Sequence, residues 1–167
     1  MGKPVIRTYR EEDEEQIVAL TQVAWAGATV WQTIEARYGP RGGKPWWEHK
    51  LHPILECART RQECFLVAEW EGQIAGYATF SLDPESRIGT VGNNAVHPDL
   101  RGRGIGSALH EAVLRRIVDA GMEMIQVTTT EPLTNAQRMY ERHGFQELIR
   151  SITYAMRANE AKISGDG

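Results

Sequence analysis

The sequence predicts a mixed α/β domain of the α+β type, in which helices flank a central, mostly antiparallel sheet of about seven strands. Three observations carry this prediction. Three strand-like runs, CFLVAEW (64–70), IAGYATF (74–80) and IGTVGNNAV (88–96), follow one another with only short turns between them, so they pair antiparallel. The amphipathic stretch GIGSALHEAVLRRIVDAG (104–121) then separates the third run from MIQVTTT (124–130), which is the pattern of a crossover helix leading to a buried parallel strand. Finally, a strand followed by a helix opens the chain, and a strand pair in FQELIRSITYAMR (145–157) closes it.

Each element has a local reason. PVIRTY (4–9) alternates apolar and polar side chains, and the acidic run EEDEE (11–15) favours a helix start through the helix dipole while staying in water. Ile17, Leu20, Ala24 and Trp25 share one face of that helix. From Gly27 to Thr60 the pattern loosens into two short helical pieces around GPRGGKP (39–45), with Pro53 interrupting the second. Glu71, Gly72 and Gln73 form a hairpin signal, and DPES (83–86) a second turn. Gly92, Asn93 and Asn94 are poor material for a strand interior, which predicts a bulge that prises this fourth strand away from a neighbour. Ile105, Leu109, Ala112, Val113 and Ile117 line one face of the long helix, and Gly121 ends it. Thr134 and Gln137 read as a capping box for NAQRMYERH (135–143), closed by Gly144. Residues 1–158 thus read as a single domain with a polar, frayed tail at 159–167.

Composition bounds the function. A chain of 167 residues with 41% hydrophobic and 25% charged residues is that of a globular domain. A net charge of −3 and a pI near 6.0 argue against a nucleic-acid binder. Cys57 and Cys64 form no disulfide or zinc pattern, and there is neither a charged leader nor an apolar run long enough to span a bilayer, so a cytoplasmic protein with no membrane partner is expected. His49, His52 and Glu56 share a helical face, but two histidines and one acid beside a proline do not make a metal site, and no metal is expected.

The informative segment is RGRGIG (101–106). Glycines at 102, 104 and 106 let a ligand approach the backbone, and the free N–H groups at a helix start favour an anion. Arg101 and Arg103 add guanidinium forks suited to phosphate oxygens. A Walker loop is excluded because the Gly-Lys steps at 2–3 and 43–44 are each followed by Pro. A dinucleotide fingerprint is disfavoured by the GxGxG spacing late in the chain, after antiparallel strands.

With these residues in view, AVHPDLRGRGIGSALHEAV resembles the acyl-coenzyme A binding motif of the GNAT superfamily of N-acyltransferases. Its signature, Arg/Gln-x-x-Gly-x-Gly/Ala, is met by Arg101, Gly104 and Gly106. NAQRMYERHGF resembles that family's late helix, VIRTYREEDEEQIVAL its first strand and helix, and the Glu71-Gly72 hairpin falls where the family places one, so the resemblance covers the chain outside residues 27–62. It implies acetyl-CoA as co-substrate, with the pantetheine arm against the backbone of Ala95, Val96 and His97. The diphosphate would meet Arg101, Gly102, Arg103, Gly104, Ile105, Gly106 and Ser107. The family often has an Asn seven residues before its Tyr; this chain has Leu133 there, and Asn135, five before Tyr140, is the nearest candidate for that coenzyme contact.

Acyl transfer to an alkyl amine requires removal of a proton, because such amines have a pKa of about 10. By the resemblance, Val96 N–H would stabilise the oxyanion and Tyr140 would protonate the departing thiolate, whose parent acid, at a pKa of about 8.5, is the stronger acid than a phenol at about 10. The fourth strand offers Asn93 and Asn94 where many relatives carry a Glu, leaving Glu69, Glu85, Glu131 or a water chain as the base. Trp25, Trp31, Tyr38, Trp46 and Trp47 supply aromatic surface for an acceptor. The expected activity is acetyl transfer by direct attack to a primary amine of a small molecule. The alternatives are a protein or peptide amine as acceptor, or a non-catalytic acyl-CoA sensor, and the same reading allows a homodimer.

Overall fold

The structure is a computed structural model that describes residues 2–163. Its element order is β1 (Val5–Thr8), α1 (Glu14–Ala24), α2 (Val30–Tyr38), α3 (Trp46–Thr60), β2 (Phe65–Trp70), β3 (Gln73–Asp83), β4 (Ile88–Val96), α4 (Ile105–Asp119), β5 (Met124–Val127) and α5 (Thr134–Arg142). One sheet runs in the order β1-β2-β3-β4-β5, antiparallel throughout except for the parallel β4–β5 pair. Among the described residues it has five strands where the sequence predicts about seven. The stretch 145–157 forms no strand, and Leu148, Ile149, Ile152 and Tyr154 are each at least 76% exposed. Alternation of apolar and polar residues is only half of a strand; the other half is a partner edge to bond with, and this segment meets none. For the same reason β5 is not the buried strand expected: it ends at Val127, and as the edge strand it exposes Met124 to 43%.

The Trp70–Gln73 hairpin closes through Glu71 (φ 51) and Gly72 (φ 81), the paired left-handed residues of a two-residue primed turn. In the β3–β4 turn, Asp83 Oδ1 accepts from Glu85 N–H at 3.0 Å and its Oδ2 accepts from Ser86 Oγ at 2.6 Å.

The core lies on both faces of the sheet. On one, Ile17 and Leu20 of α1 and Ile54 of α3 close over Phe65 and Tyr77; on the other, Ile105, Leu109, Val113 and Ile117 of α4 are all buried, as their spacing predicts. Three local expectations change. Asp13 is 2% exposed rather than solvated, because Arg7 on β1 grips both its oxygens at 2.8 Å and Arg10 N–H caps it at 2.8 Å. Those donors hold its carboxyl below the ordinary range against the opposing effect of burial. Pro53 sits inside a continuous α3 instead of interrupting it. Leu133 rather than Thr134 precedes α5, and no capping box forms: Gln137 Nε2 instead donates to the carbonyls of Thr130 and Glu131 at 3.1 and 3.0 Å. A short 3-10 turn, Ala158–Glu160, leads into the polar tail, of which residues 164–167 lie outside the described residues.

Candidate active site

The site is made by a defect in the sheet. Along β3–β4, Ala78 pairs with Asn94 and Phe80 with Val91, so Thr79 alone faces Gly92 and Asn93. This is the bulge the Gly-Asn-Asn sequence predicts. Thr79 Oγ1 accepts from Asn93 N–H at 2.9 Å and donates to Asn93 O at 3.3 Å, a side chain filling the place of the missing ladder bond. A Cβ at Gly92 would stand 2.5 Å from that same Oγ1 and 3.1 Å from Thr79 O, so only glycine fits. The β4–β5 ladder runs from Ile88 to Val91 and stops at the bulge, which leaves the last residues of β4 bonded to β3 alone.

Backbone direction then singles out one amide. His97 N–H donates to Ala75 O at 2.8 Å and its carbonyl accepts from Leu100 N–H at 2.9 Å. The alternation of an antiparallel strand turns Val96 N–H the other way, into the gap beside β5. Of Ala95, Val96 and His97, it is Val96 that presents its amide there.

Gly102 (φ 79) and Gly104 (φ 78) make the left-handed corners that carry the chain from β4 into α4. The first helical bond is Ala108 N–H to Gly104 O at 3.0 Å, and no side chain caps the helix, so the amides of Ile105, Gly106 and Ser107 have no partner inside it. Such a start is a ready anion site. At Gly106 a Cβ would make only an ordinary 3.6 Å contact with Val96 Cγ2. The packing of the protein itself therefore does not require glycine at that position. Arg101 Nη2 reaches Ala24 O at 3.4 Å, and Arg103 leans on the Trp70 ring with Cζ 5.8 Å from its centroid. Both arginines are therefore anchored beside the turn.

Tyr140, 6% exposed on α5, reaches the bulge from the other side of the gap: Asn94 Nδ2 donates to its Oη at 3.2 Å. That bond occupies the phenol as an acceptor and leaves its own hydrogen free to give. Burial raises the Tyr140 pKa, with Asn94 pulling weakly the other way, so the hydroxyl stays protonated at neutral pH. Beneath it His110, 3% exposed, packs with ring centroids 5.3 Å from Tyr140, 4.7 Å from His143 and 5.7 Å from Phe145. Burial and the neighbouring His143 bring its pKa down to about 4, and its Nε2 has no partner among the described residues. Sequence reasoning misses His110, because a polar residue on an otherwise apolar helix face gives no sign of which ring it will underlie. Asn135 lies exposed in the first turn of α5, apart from these contacts.

The carboxylates considered as bases make no contact with Asn94, Val96 or Tyr140. Glu69 is ion-paired with Arg7, Glu85 sits in the β3–β4 turn, and Glu131 is exposed beside Arg150 at 3.4 Å. The aromatic side chains are likewise committed in part. Trp25 Nε1 donates to Tyr77 Oη at 2.9 Å, Trp31 stacks on His49 at 4.4 Å, and Tyr38 Oη donates to Ala155 O at 2.8 Å. His49 Nε2 lies 3.0 Å from Arg41 O, and no group of three or more metal-type ligands occurs among the described residues. No helix among them is long and apolar enough to cross a membrane.

The arrangement joins an uncapped helix start, a bulged strand offering one free amide, and a protonated phenol. The model of the acetyltransferase (GNAT) family matches residues 27–145, taking in the 27–62 segment that the sequence resemblance leaves aside. Solved structures share the fold. The aminoglycoside N-acetyltransferase AAC(6')-Iy, in complex with CoA-S-monomethyl-acetylneamine, superposes with a TM-score of 0.66 at 20% identity, covering 94% of this chain and 100% of that one. The ribosomal-protein-S18-alanine N-acetyltransferase from Escherichia coli gives 0.63 at 20% identity over 88% and 80%. A GNAT family acetyltransferase from Brucella melitensis in complex with acetyl-CoA gives 0.60 at 24% identity over 88% and 85%. The chain belongs to the GNAT acetyltransferase family, and it is an acyltransferase.

Proposed function

We propose that this GNAT acetyltransferase moves the acetyl group of acetyl-CoA to a primary amine of a small molecule, by direct attack within a ternary complex. The observation that carries the reading is the bulge at Gly92–Asn93. It frees Val96 N–H at the mouth of an uncapped α4 and, through Asn94, holds the Tyr140 hydroxyl at the same gap. In this reading the coenzyme diphosphate takes the unpaired amides of Ile105 to Ser107, with Gly102 and Gly104 shaping the turn, Gly106 leaving room, and Arg101 and Arg103 adding charge. The pantetheine arm runs along Ala95, Val96 and His97. Val96 N–H meets the developing oxyanion, and Tyr140 protonates the leaving thiolate. Asn135 lies in the exposed first turn of α5 and is assigned no more than a contact at the coenzyme's edge.

A small acceptor is favoured by the half-buried tryptophans of the α1–α3 layer, Trp25, Trp31, Trp46 and Trp47. The AAC(6')-Iy neighbour is named for aminoglycosides and the S18 enzyme for a protein amine, so the shared fold serves both acceptor classes. Acetyl-CoA with a panel of alkyl amines and a matched panel of peptides, followed by thiol release and mass spectrometry, tests the reading. Amine-dependent release with small acceptors is the expected result, and acetylation of peptides alone would overturn it.

A further inference from the structure

Lys50 projects from α3 toward the bulge, and the functional reading leaves it without a task. Its Nζ donates to Asn93 Oδ1 at 2.6 Å and lies 3.3 Å from the centroid of the Trp25 ring. No carboxylate among the described residues is within ion-pair distance of it. Burial without a counter-ion favours loss of this ammonium's proton, while the amide oxygen and the aromatic face hold the nitrogen in place.

None of the charged and titratable groups on the surrounding elements pairs with Lys50, Glu15, Glu48, His52 and Glu56 included. On α1, Glu14 faces Arg59 at 3.3 Å; on α2, Glu35 accepts from Trp46 N–H; on α3, His49 stacks on Trp31. On β3, Tyr77 donates to Thr21 Oγ1, whose own hydrogen goes to Ile17 O, and accepts from Trp25 Nε1; burial pushes its pKa up to about 12. None of these places a negative charge on Lys50. Burial pulls the Lys50 pKa down to about 8, while the Trp25 face works in the opposite sense by favouring the cation.

Consecutive strand residues point to opposite faces. Asn93 carries Lys50 on the α1–α3 face, where the tryptophans lie, and Asn94 carries Tyr140 on the α4–α5 face. A nitrogen base and a protonated phenol thus flank the gap from its two sides. We infer that Lys50, positioned by Asn93 and Trp25, is the general base that takes the proton from the acceptor amine; this rests on the proposed transfer at the bulge.

The proton ledger closes. Neutral Lys50 takes one proton from the acceptor ammonium and later releases it to solvent. The freed nitrogen lone pair forms the C–N bond to the thioester carbon as the C–S bond breaks, with its electron pair leaving on sulfur. Tyr140 gives its proton to that sulfur, and the phenolate is restored by the second proton the nitrogen sheds as the amide forms. The sum is ammonium plus thioester giving amide, thiol and one solvent proton.

The test compares the best alkyl amine from the acceptor panel with its aminooxy isostere, which is already neutral at pH 7. Lys50→Met is expected to lower kcat/KM for the alkyl amine by about 10²-fold or more and for the isostere by less than about tenfold. The acid limb of the wild-type pH profile with the alkyl amine should be absent with the isostere. Lys50→Arg keeps the charge and the ring contact but cannot deprotonate, so it should fail with the alkyl amine as Lys50→Met does. CoA affinity, read by calorimetry, should stay within a few-fold in both variants and reports that they are folded. Equal losses for both acceptors, or full activity in Lys50→Arg, would overturn the base and make Lys50 a structural or anion-holding cation. If the wild type transfers acetyl only to peptides, the small-molecule reading fails, and the same comparison on peptide amines still decides Lys50. If it transfers to neither, both fall.

Discussion

The two halves of β4 are built from the same strand and differ in almost everything else. From Ile88 to Val91 the strand is laddered on both sides, to β3 and to β5; beyond the bulge, Asn94 to Val96 is laddered to β3 only. The first half and the bulge that opens the second each contain a glycine that a Cβ would spoil, for opposite reasons. At Gly89 the added atom would stand 2.1 Å from Ile117 Cγ2, in the packing of α4 on the sheet, whereas at Gly92 it would strike Thr79, in the seam of the bulge. The first half closes a core. The second leaves Val96 N–H without a strand partner, and this is the amide that the proposed function assigns to the oxyanion.

This contrast can be broken most strongly at the glycines. Gly89→Ala and Gly92→Ala should each destabilise the fold by about 3 kcal/mol, read by urea denaturation, because Ile117 is fully buried and Thr79 is fixed at the bulge. They should separate in turnover per folded molecule: unchanged for Gly89→Ala, at least tenfold lower for Gly92→Ala. The layer beneath the open half should respond to acid. The folded pKa of His110, about 4, lies below its ordinary 6.5, so the unfolded chain binds the proton more readily. Stability is then complete above pH 6.5 and falls by on the order of 3 kcal/mol as pH drops to 4. His110→Phe should remove this component from denaturation curves at pH 7 and pH 4.5.

Tyr140→Phe keeps the ring packing and removes the hydroxyl at Asn94. Turnover should drop about 10²-fold, with CoA affinity within a few-fold by calorimetry. An unchanged turnover number would remove Tyr140 from the chemistry. The smallest effect sharpens the comparison at the helix start. Gly106→Ala has room in the protein and a better helix propensity, so thermal stability should hold or rise by up to about 1 kcal/mol while CoA binding weakens about tenfold.

Much of the site was legible because it is written in short stretches. Gly92-Asn93-Asn94 announces a bulge through conformational preferences each residue carries alone, and the glycines of RGRGIG announce a turn into an uncapped helix in the same way. The misreadings share a cause as well. Asp13 lies in an acidic run that looks solvated until Arg7 arrives from a neighbouring strand to bury it. Residues 145–157 alternate like a strand pair, yet alternation cannot supply the edge they would need. Lys50 is one of several cations in an irregular segment, and nothing near it names Asn93, 43 residues away, or Trp25 as its companions.

The sequence by itself determined α1, α4 and α5, the β2–β3 and β3–β4 hairpins, the bulge and the anion-ready turn, because those follow from side-chain periodicity and backbone freedom within a few residues. Only the tertiary structure decided which side chains meet across the opened strand: Tyr140 with Asn94 on one face, Lys50 with Asn93 and Trp25 on the other. Contacts between distant segments are set by how the elements pack, and the burial and charge compensation that tune an acid or a base exist only once that packing has formed.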